Sequence, residues 1–222
     1  MNQTIVSVEK IAGWIITLMV PVILVIGGVR LLMTPAFLEF EYRTPNFPAD
    51  RYGLTLEERL RWSKETLVYL NEWRDRAYLD GLQFEDGIPI YNDREIQHIV
   101  DVQNVLRTIM RVWGGALILT VALGIWARFG GWLGAYLHAL GRGGLVTAVL
   151  IGSAVFFVLV AFGIFFVFFH QVFFPPGTWQ FLYSDTLIRL FPERFWRDAF
   201  LVVGTLSGVT GLVMWYFLGR RN

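Results

Sequence analysis

Imidazole is the one side chain whose ordinary pKa lies near neutrality, so two histidines that can meet at a membrane boundary are candidates for moving protons during a reaction. This sequence has such a pair. His98 stands in Tyr91-Asn92-Asp93-Arg94-Glu95-Ile96-Gln97-His98-Ile99-Val100-Asp101, just before one long apolar segment, and His170 closes another in Phe168-Phe169-His170. If the chain is helical from Asn92 onward, then at ~100° per residue Arg94, His98 and Asp101 fall within an arc of about 60°. A guanidinium, an imidazole and a carboxylate then share one face. The Asp101 carboxylate can orient the His98 ring and favour its protonated form, as the last member of a base-and-orienter chain does. From spacing alone, a solvated helix face with an ordinary salt-bridged histidine explains the same residues, and a lone His170 at a helix end can simply be snorkelling.

Whether the rings meet depends on the elements that carry them. Hydrophobic residues make up 55% of the 222, with 19 Phe and 9 Trp, and mean hydropathy is +0.51; the apolar residues gather into runs long enough to cross a bilayer. Four spans are expected, at about 11–33, 108–127, 145–169 and 199–218, each near the length that a ~30 Å core demands at ~1.5 Å rise per residue. The first carries Pro21, where a missing donor must be compensated by neighbours. It lacks a small-residue cleavage site and is too long for a signal peptide, so it is expected to stay in the mature protein. Four spans, an even number, put both termini on one side. Lys10, Arg128, Arg142, Arg220 and Arg221 lie there, against Arg189, Arg194 and Arg197 in the loop 170–198, so both termini are expected to be cytoplasmic. Both histidines then face the outer leaflet.

The polar segment 34–107 is expected to be an ordered extracytoplasmic cap. Thr55-Leu56-Glu57-Glu58 fits a capping box, and Leu56, Leu60, Leu67, Leu70 and Trp73 continue it with a helical period. Asp86-Gly87 between two short apolar runs predicts a β-hairpin over 82–91. Asn92 offers an N-cap with Glu95 at the reciprocal position, opening a helix that runs into the second span. The fold class is thus an all-α membrane protein: four transmembrane helices in one domain, 1–222, with a small helical cap that contains a short β-hairpin. One difficulty stands out. The ~10 residues from His98 to Thr108 amount to roughly 15 Å of helix, so His98 can stand well above the membrane edge where His170 ends its span.

Composition and motifs also exclude chemistry. A net charge of +1 with no basic block gives no reason to expect nucleic acid, and the absence of cysteine rules out disulfides, thiolate nucleophiles and S-acylation of this chain. Glu95-x-x-His98 is half of a di-iron motif without its second copy, which leaves a site on His98, His170 and Asp101 as the one metal alternative. Gly204-x-x-x-Gly208 with Gly211 reads as a stripe for close helix packing. After His170, Phe173-Phe174-Pro175-Pro176-Gly177-Thr178-Trp179-Gln180-Phe181-Leu182-Tyr183 is too broken to span, and its aromatics suit the headgroup belt or a grip on acyl chains. Beyond it, Asp185 and Arg189 are spaced as an ion pair or a phosphate contact.

Taken together, Tyr91-Asn92-Asp93-Arg94-Glu95-x-x-His98-x-x-Asp101-Val102, the earlier Glu41-Tyr42-Arg43, Phe169-His170-x-x-Phe173-Phe174 and Asp185-x-Leu187-Ile188-x-Leu190-Phe191-Pro192 resemble the lipoprotein intramolecular transacylase (Lit) family of bacterial four-span membrane proteins. The resemblance covers essentially the whole chain. It implies transfer of the sn-2 acyl chain of a diacylglyceryl lipoprotein to the α-amine of its N-terminal cysteine, in a bacterial cell membrane, with lipoprotein and membrane phospholipid as partners and with no cofactor or metal. The family's two functional histidines correspond to His98 and His170. On that reading His98 is the base, Asp101 its orienter, His170 positions the ester, and Arg94 holds the oxyanion, while Tyr42, Arg189 and Asp185 contact substrate. A membrane lipid hydrolase on the same histidines and a noncatalytic lipoprotein-binding scaffold are the alternatives. Oligomeric state is not legible in the sequence.

Overall fold

A computed structural model describes residues 3–220, so Arg221 of the topology reading lies outside the described residues. Its order is α1 (Gln3–Leu32), α2 (Pro35–Tyr42), α3 (Leu56–Glu72), α4 (Arg76–Asp80), α5 (Asp93–Gly130), α6 (Leu133–Phe173), α7 (Thr186–Leu190) and α8 (Glu193–Met214), closed by a π-helical turn, Trp215–Gly219. Four of these helices are long and apolar enough to cross a membrane: Val8–Leu32, Asp93–Gly130, Leu133–Phe173 and Glu193–Gly219. The chain is a multi-pass membrane protein. It divides into two compact units, one made of α1 up to Val29, Ile109–Val160 and the chain from Phe200 onward, the other of Arg30–Thr108 and Ala161–Ala199.

The first unit is held by close backbone approach, as expected where lipid is as apolar as leucine and helices gain little by hiding apolar surface from it. A Cβ added at Gly144 would lie 2.4 Å from the Gly211 carbonyl oxygen, and one at Gly141 only 2.2 Å from the Gly219 nitrogen. Gly204 makes room for the Val155 side chain, whereas Gly208 has only Ile151 at 4.0 Å, so the packing stripe on α8 is carried by Gly204 and Gly211. Pro21 takes the amide that would have served the Thr17 carbonyl, and Gly143 comes against that oxygen; a Cβ there would be 2.9 Å away. Further along α1, Trp113 Nε1 donates to the Ile23 carbonyl and Ser207 Oγ to that of Leu24. Ala12, Ile16, Ala127, Trp132 and Ala139 form the buried cluster of this unit.

The second unit has the core of a water-soluble domain. Its helix starts are capped: Thr34 Oγ1 accepts from Phe37 N ahead of Pro35, and Thr55 and Glu58 close the reciprocal box, with Glu58 accepting from Thr55 N at 2.7 Å. Leu38, Tyr42, Leu60, Trp62, Tyr69, Leu79, Ile90, Tyr91, Ile99, Leu190 and Phe195 are buried together. At the end of α3, Trp73 takes the left-handed conformation (φ 57°), and Gln103 of α5 donates to the carbonyls of Tyr69 and Arg74. These bonds dock α5 on α3.

Two expectations for the polar segment are corrected here. The β-hairpin is not formed: the turn closes at Gly87 (φ 82°), yet among the described residues there is no strand, only an isolated bridge between Gln83 and Pro89. Two backbone bonds flank that bridge, from Phe84 N to the Ile88 carbonyl and from Ile90 N to the Leu82 carbonyl, and the pairing is too short to make a strand. Nor does 34–107 stand apart as a cap. It folds as one unit with Ala161–Ala199, because Tyr42 donates to the Leu190 carbonyl and Asp50 receives Arg189.

Two tests follow from this packing. Gly144→Ala drives a methyl into the Gly211 carbonyl and is expected to cost about 1–3 kcal/mol, read as a lowered thermal midpoint in detergent. In the other unit, burial and the neighbouring Asp198 carboxylate push Glu41 up to about 7, against the pull of Arg194 and Arg197. The folded state then binds this proton more tightly than the unfolded chain. Its contribution is full below the ordinary carboxylate pKa and is lost as pH rises through about 7. Thermal midpoints measured between pH 5 and 8 should fall more steeply for wild type than for Glu41→Gln.

Candidate active site

The start of α5 is built by a reciprocal pair. Asn92 Oδ1 accepts from the amides of Arg94 and Glu95, both at 3.1 Å, and Glu95 Oε2 accepts from Asn92 N at 2.8 Å. The other oxygen of the same buried carboxylate accepts from Leu187 N at 2.7 Å, an amide in the first turn of α7 that has no helical partner. Glu95 therefore fixes two helix starts at once. Beside it, Arg94 Nη2 donates to Asp185 at 2.8 Å, and Asp185 also accepts from Leu182 N at 2.8 Å. The loop 174–185 is thus tied at its far end to the first turn of α5.

One turn beyond Glu95, His98 meets His170. Their ring centroids are 6.0 Å apart with planes 23° from parallel, and they are only 7% and 8% exposed. The separation expected from the apolar runs is not found: the parts of α5 and α6 that carry the two rings belong to the same compact unit, Arg30–Thr108 with Ala161–Ala199. Aromatic rings enclose the pair. His98 touches Phe174 (4.8 Å between centroids) and Phe181 (5.4 Å), while His170 touches Phe166 (4.1 Å), Trp179 (4.8 Å), Phe174 (5.5 Å) and Phe169 (5.6 Å).

Hydrogen bonding distinguishes the two imidazoles. His170 Nδ1 lies 2.8 Å from the carbonyl oxygen of Phe166, one turn back on α6. A carbonyl only accepts, so this nitrogen carries the proton and the neutral ring presents its lone pair at Nε2. His98 Nδ1 is buried with no partner. Two imidazolium ions 6.0 Å apart would repel by roughly 3 kcal/mol at an effective dielectric constant of about 20, so the pair holds one proton far more readily than two.

The remaining sequence-derived candidates fall outside this ring cluster. Asp101 accepts from Gln97 Nε2 at 3.0 Å and makes no bond to His98; the amide four residues back takes the carboxylate expected to orient the imidazole. Arg94 is half exposed, spans Phe181 at 5.4 Å and is neutralised by Asp185. Tyr42 is buried with its hydroxyl between Ser63 and the Leu190 carbonyl, a brace and not a free contact. Arg189 is held by both oxygens of Asp50, at 2.9–3.3 Å. No group of three or more potential metal ligands occurs among the described residues. Glu95 and Trp179 were missed as site residues. Half of Glu95's role was visible in its capping position, whereas Trp179 carried no signal that set it apart from an aromatic belt.

Four membrane-crossing helices and a buried pair of imidazoles define a polytopic membrane protein with a histidine site. The family model for "Lipoprotein intramolecular transacylase Lit" matches residues 14–196, a stretch that includes both histidines, and the chain belongs to that family. Its fold is similar to that of the membrane integral lipoprotein intramolecular transacylase Lit from Bacillus cereus, with a TM-score of 0.80 at 22% identity, over 96% of this chain and 95% of that one. A histidine-to-arginine variant of the same bacterial protein matches with a TM-score of 0.73 at 20% identity, over 96% and 91%. An uncharacterized protein of Aquifex aeolicus (strain VF5) is 29% identical over 215 residues, 96% of each chain.

Glu95→Gln tests how the site is held. A glutamine has one acceptor for two backbone donors, so either Asn92 N or Leu187 N loses its side-chain partner. The expected loss is about 1–3 kcal/mol of stability, measured as a fall in thermal midpoint.

Proposed function

We propose that this protein moves the sn-2 ester acyl chain of a diacylglyceryl lipoprotein to the α-amine of the lipoprotein's N-terminal cysteine. The observation that carries this reading is the contact of His98 with His170 inside an aromatic enclosure, in a member of the Lit family. Acyl migration needs an amine stripped of its proton and an alkoxide supplied with one. In this reading the base is His170 and not His98: its Nε2, left with the lone pair by the Phe166 carbonyl, takes the amine proton. The nitrogen attacks the ester carbonyl carbon, the C–N bond forms, the tetrahedral intermediate collapses, and the C–O bond to the glyceryl oxygen breaks. That oxygen receives the proton through the imidazole pair. No hydrogen bond joins the two rings, so the reacting atoms themselves bridge them.

Donor and acceptor belong to one lipoprotein, so proximity does much of the work and no protein nucleophile is required. Arg94 and Asp185 act as positioning residues that hold the Phe181 side of the cage, with Glu95 beneath them. Exposed Leu182 and Tyr183, beside Phe173, supply a surface for acyl chains and bilayer phospholipid. Orientation follows from the basic residues: with Lys10, Arg128, Arg142 and Arg220 on the cytoplasmic side, both termini are cytoplasmic and the histidines face the outer leaflet as an extracytoplasmic site.

Mass spectrometry of lipoprotein N-termini from a host expressing this chain tests the proposal. Retained acyl mass with one chain moved from ester to amide is the expected outcome; net loss of an acyl chain identifies a hydrolase, and unchanged lipoprotein a scaffold. His98→Ala and His170→Ala are each expected to slow the transfer by at least ~10²-fold. Wild-type rates in both variants would overturn the histidine mechanism.

A further inference from the structure

Seven buried side-chain nitrogen or oxygen atoms lack a partner among the described residues, and two of them, His98 Nδ1 and Trp179 Nε1, belong to rings of this one cluster. Buried polar groups are satisfied in nearly all native proteins, so two such atoms beside one titratable pair point to a ligand. The Trp179 ring lies 4.8 Å from that of His170. It is also fixed from behind. The turn that precedes it closes through the amide and the hydroxyl of Thr178, both donating to the Pro175 carbonyl, with Gly177 at φ 83°. An indole N–H can only donate, so what it lacks is an acceptor.

We propose that Trp179 Nε1–H donates to the carbonyl oxygen of the bound acyl ester and stabilises the oxyanion formed there, an inference that rests on the acyl-transfer reading of the site. The amine nitrogen bonds to the carbonyl carbon, the C=O π pair moves onto oxygen, and the amine proton passes to imidazole. The pair then returns as the C–O ester bond breaks and the glyceryl oxygen takes the proton. The indole keeps its own proton throughout. A fixed donor in a water-poor enclosure is aimed at charge that develops only in the transition state, which is where such a bond has most effect. Arg94 is less suited to the task, since its charge is already paired with Asp185 and half of its side chain is solvated.

Trp179→Phe keeps an aromatic ring at this position and removes the donor. In the full-length protein it is expected to lower kcat by ~10²-fold with KM little changed. A second measurement reads the hydrogen bond itself. With all nine tryptophans labelled at the indole nitrogen, the Trp179 resonance is assigned by its loss in Trp179→Phe or Trp179→Tyr. A long-chain alkylphosphonate monoester, a tetrahedral anion, is then titrated into wild type, and the resonance should move downfield. An unmoved resonance, or a Trp179→Phe variant that turns over within ~2-fold of wild type, overturns the proposal. If wild type transfers no acyl chain, the transacylase reading fails separately and the resonance alone decides the role of Trp179. A tryptophan that merely packs would lower the thermal midpoint without any shift on titration.

Discussion

The Glu95 carboxylate is the interaction on which the site depends. Helix starts leave amides without partners, and this one side chain serves its own helix at Asn92 and a second, far along the chain, at Leu187. Because α5 and α7 are thereby locked, the intervening loop must return from the end of α6 to a fixed point. Its aromatic residues are then confined over His98 and His170 instead of spreading along the membrane surface. The neighbouring Arg94–Asp185 pair reinforces the same junction from the solvent side.

The two compact units answer different physical demands. Where helices face lipid, association comes from shape, and glycine on α6 and α8 lets one backbone reach the other. Where the chain leaves that environment, stability comes from a buried aromatic and aliphatic cluster laced with specific polar bonds. Tyr42 joining Ser63 to the Leu190 carbonyl, and Arg189 gripping Asp50, are examples. Residues that looked like substrate contacts in the sequence are engaged in this second kind of bonding.

How far the sequence could be read depended on whether the governing interaction was local. The Thr55 and Asn92 capping pairs, the span count and the packing role of Gly204 and Gly211 follow from residues within a turn or two of one another, and all are present. The hairpin is present only as its turn and a single bridge, because the pairing around Asp86-Gly87 stops after two backbone bonds. Asp101 has two possible partners on its own helix, His98 and Gln97, and spacing alone does not tell that Gln97 is the one bonded to it. The meeting of His98 with His170 could be suspected from type and position, but its distance depended on packing within the second unit, between residues far apart in the chain. Trp179 was invisible because what distinguishes it is the absence of an acceptor around one atom.

The bond from His170 to the Phe166 carbonyl has an evolutionary consequence. In many histidine sites the group that orients the ring is another side chain, and a single codon change removes it. Here the orienter is the peptide backbone of the same helix, supplied whatever residue occupies position 166 as long as the turn stays helical. The tautomer of this ring is therefore insulated from point mutation. Drift at position 166 can exchange one apolar residue for another without altering which nitrogen is left to accept a proton.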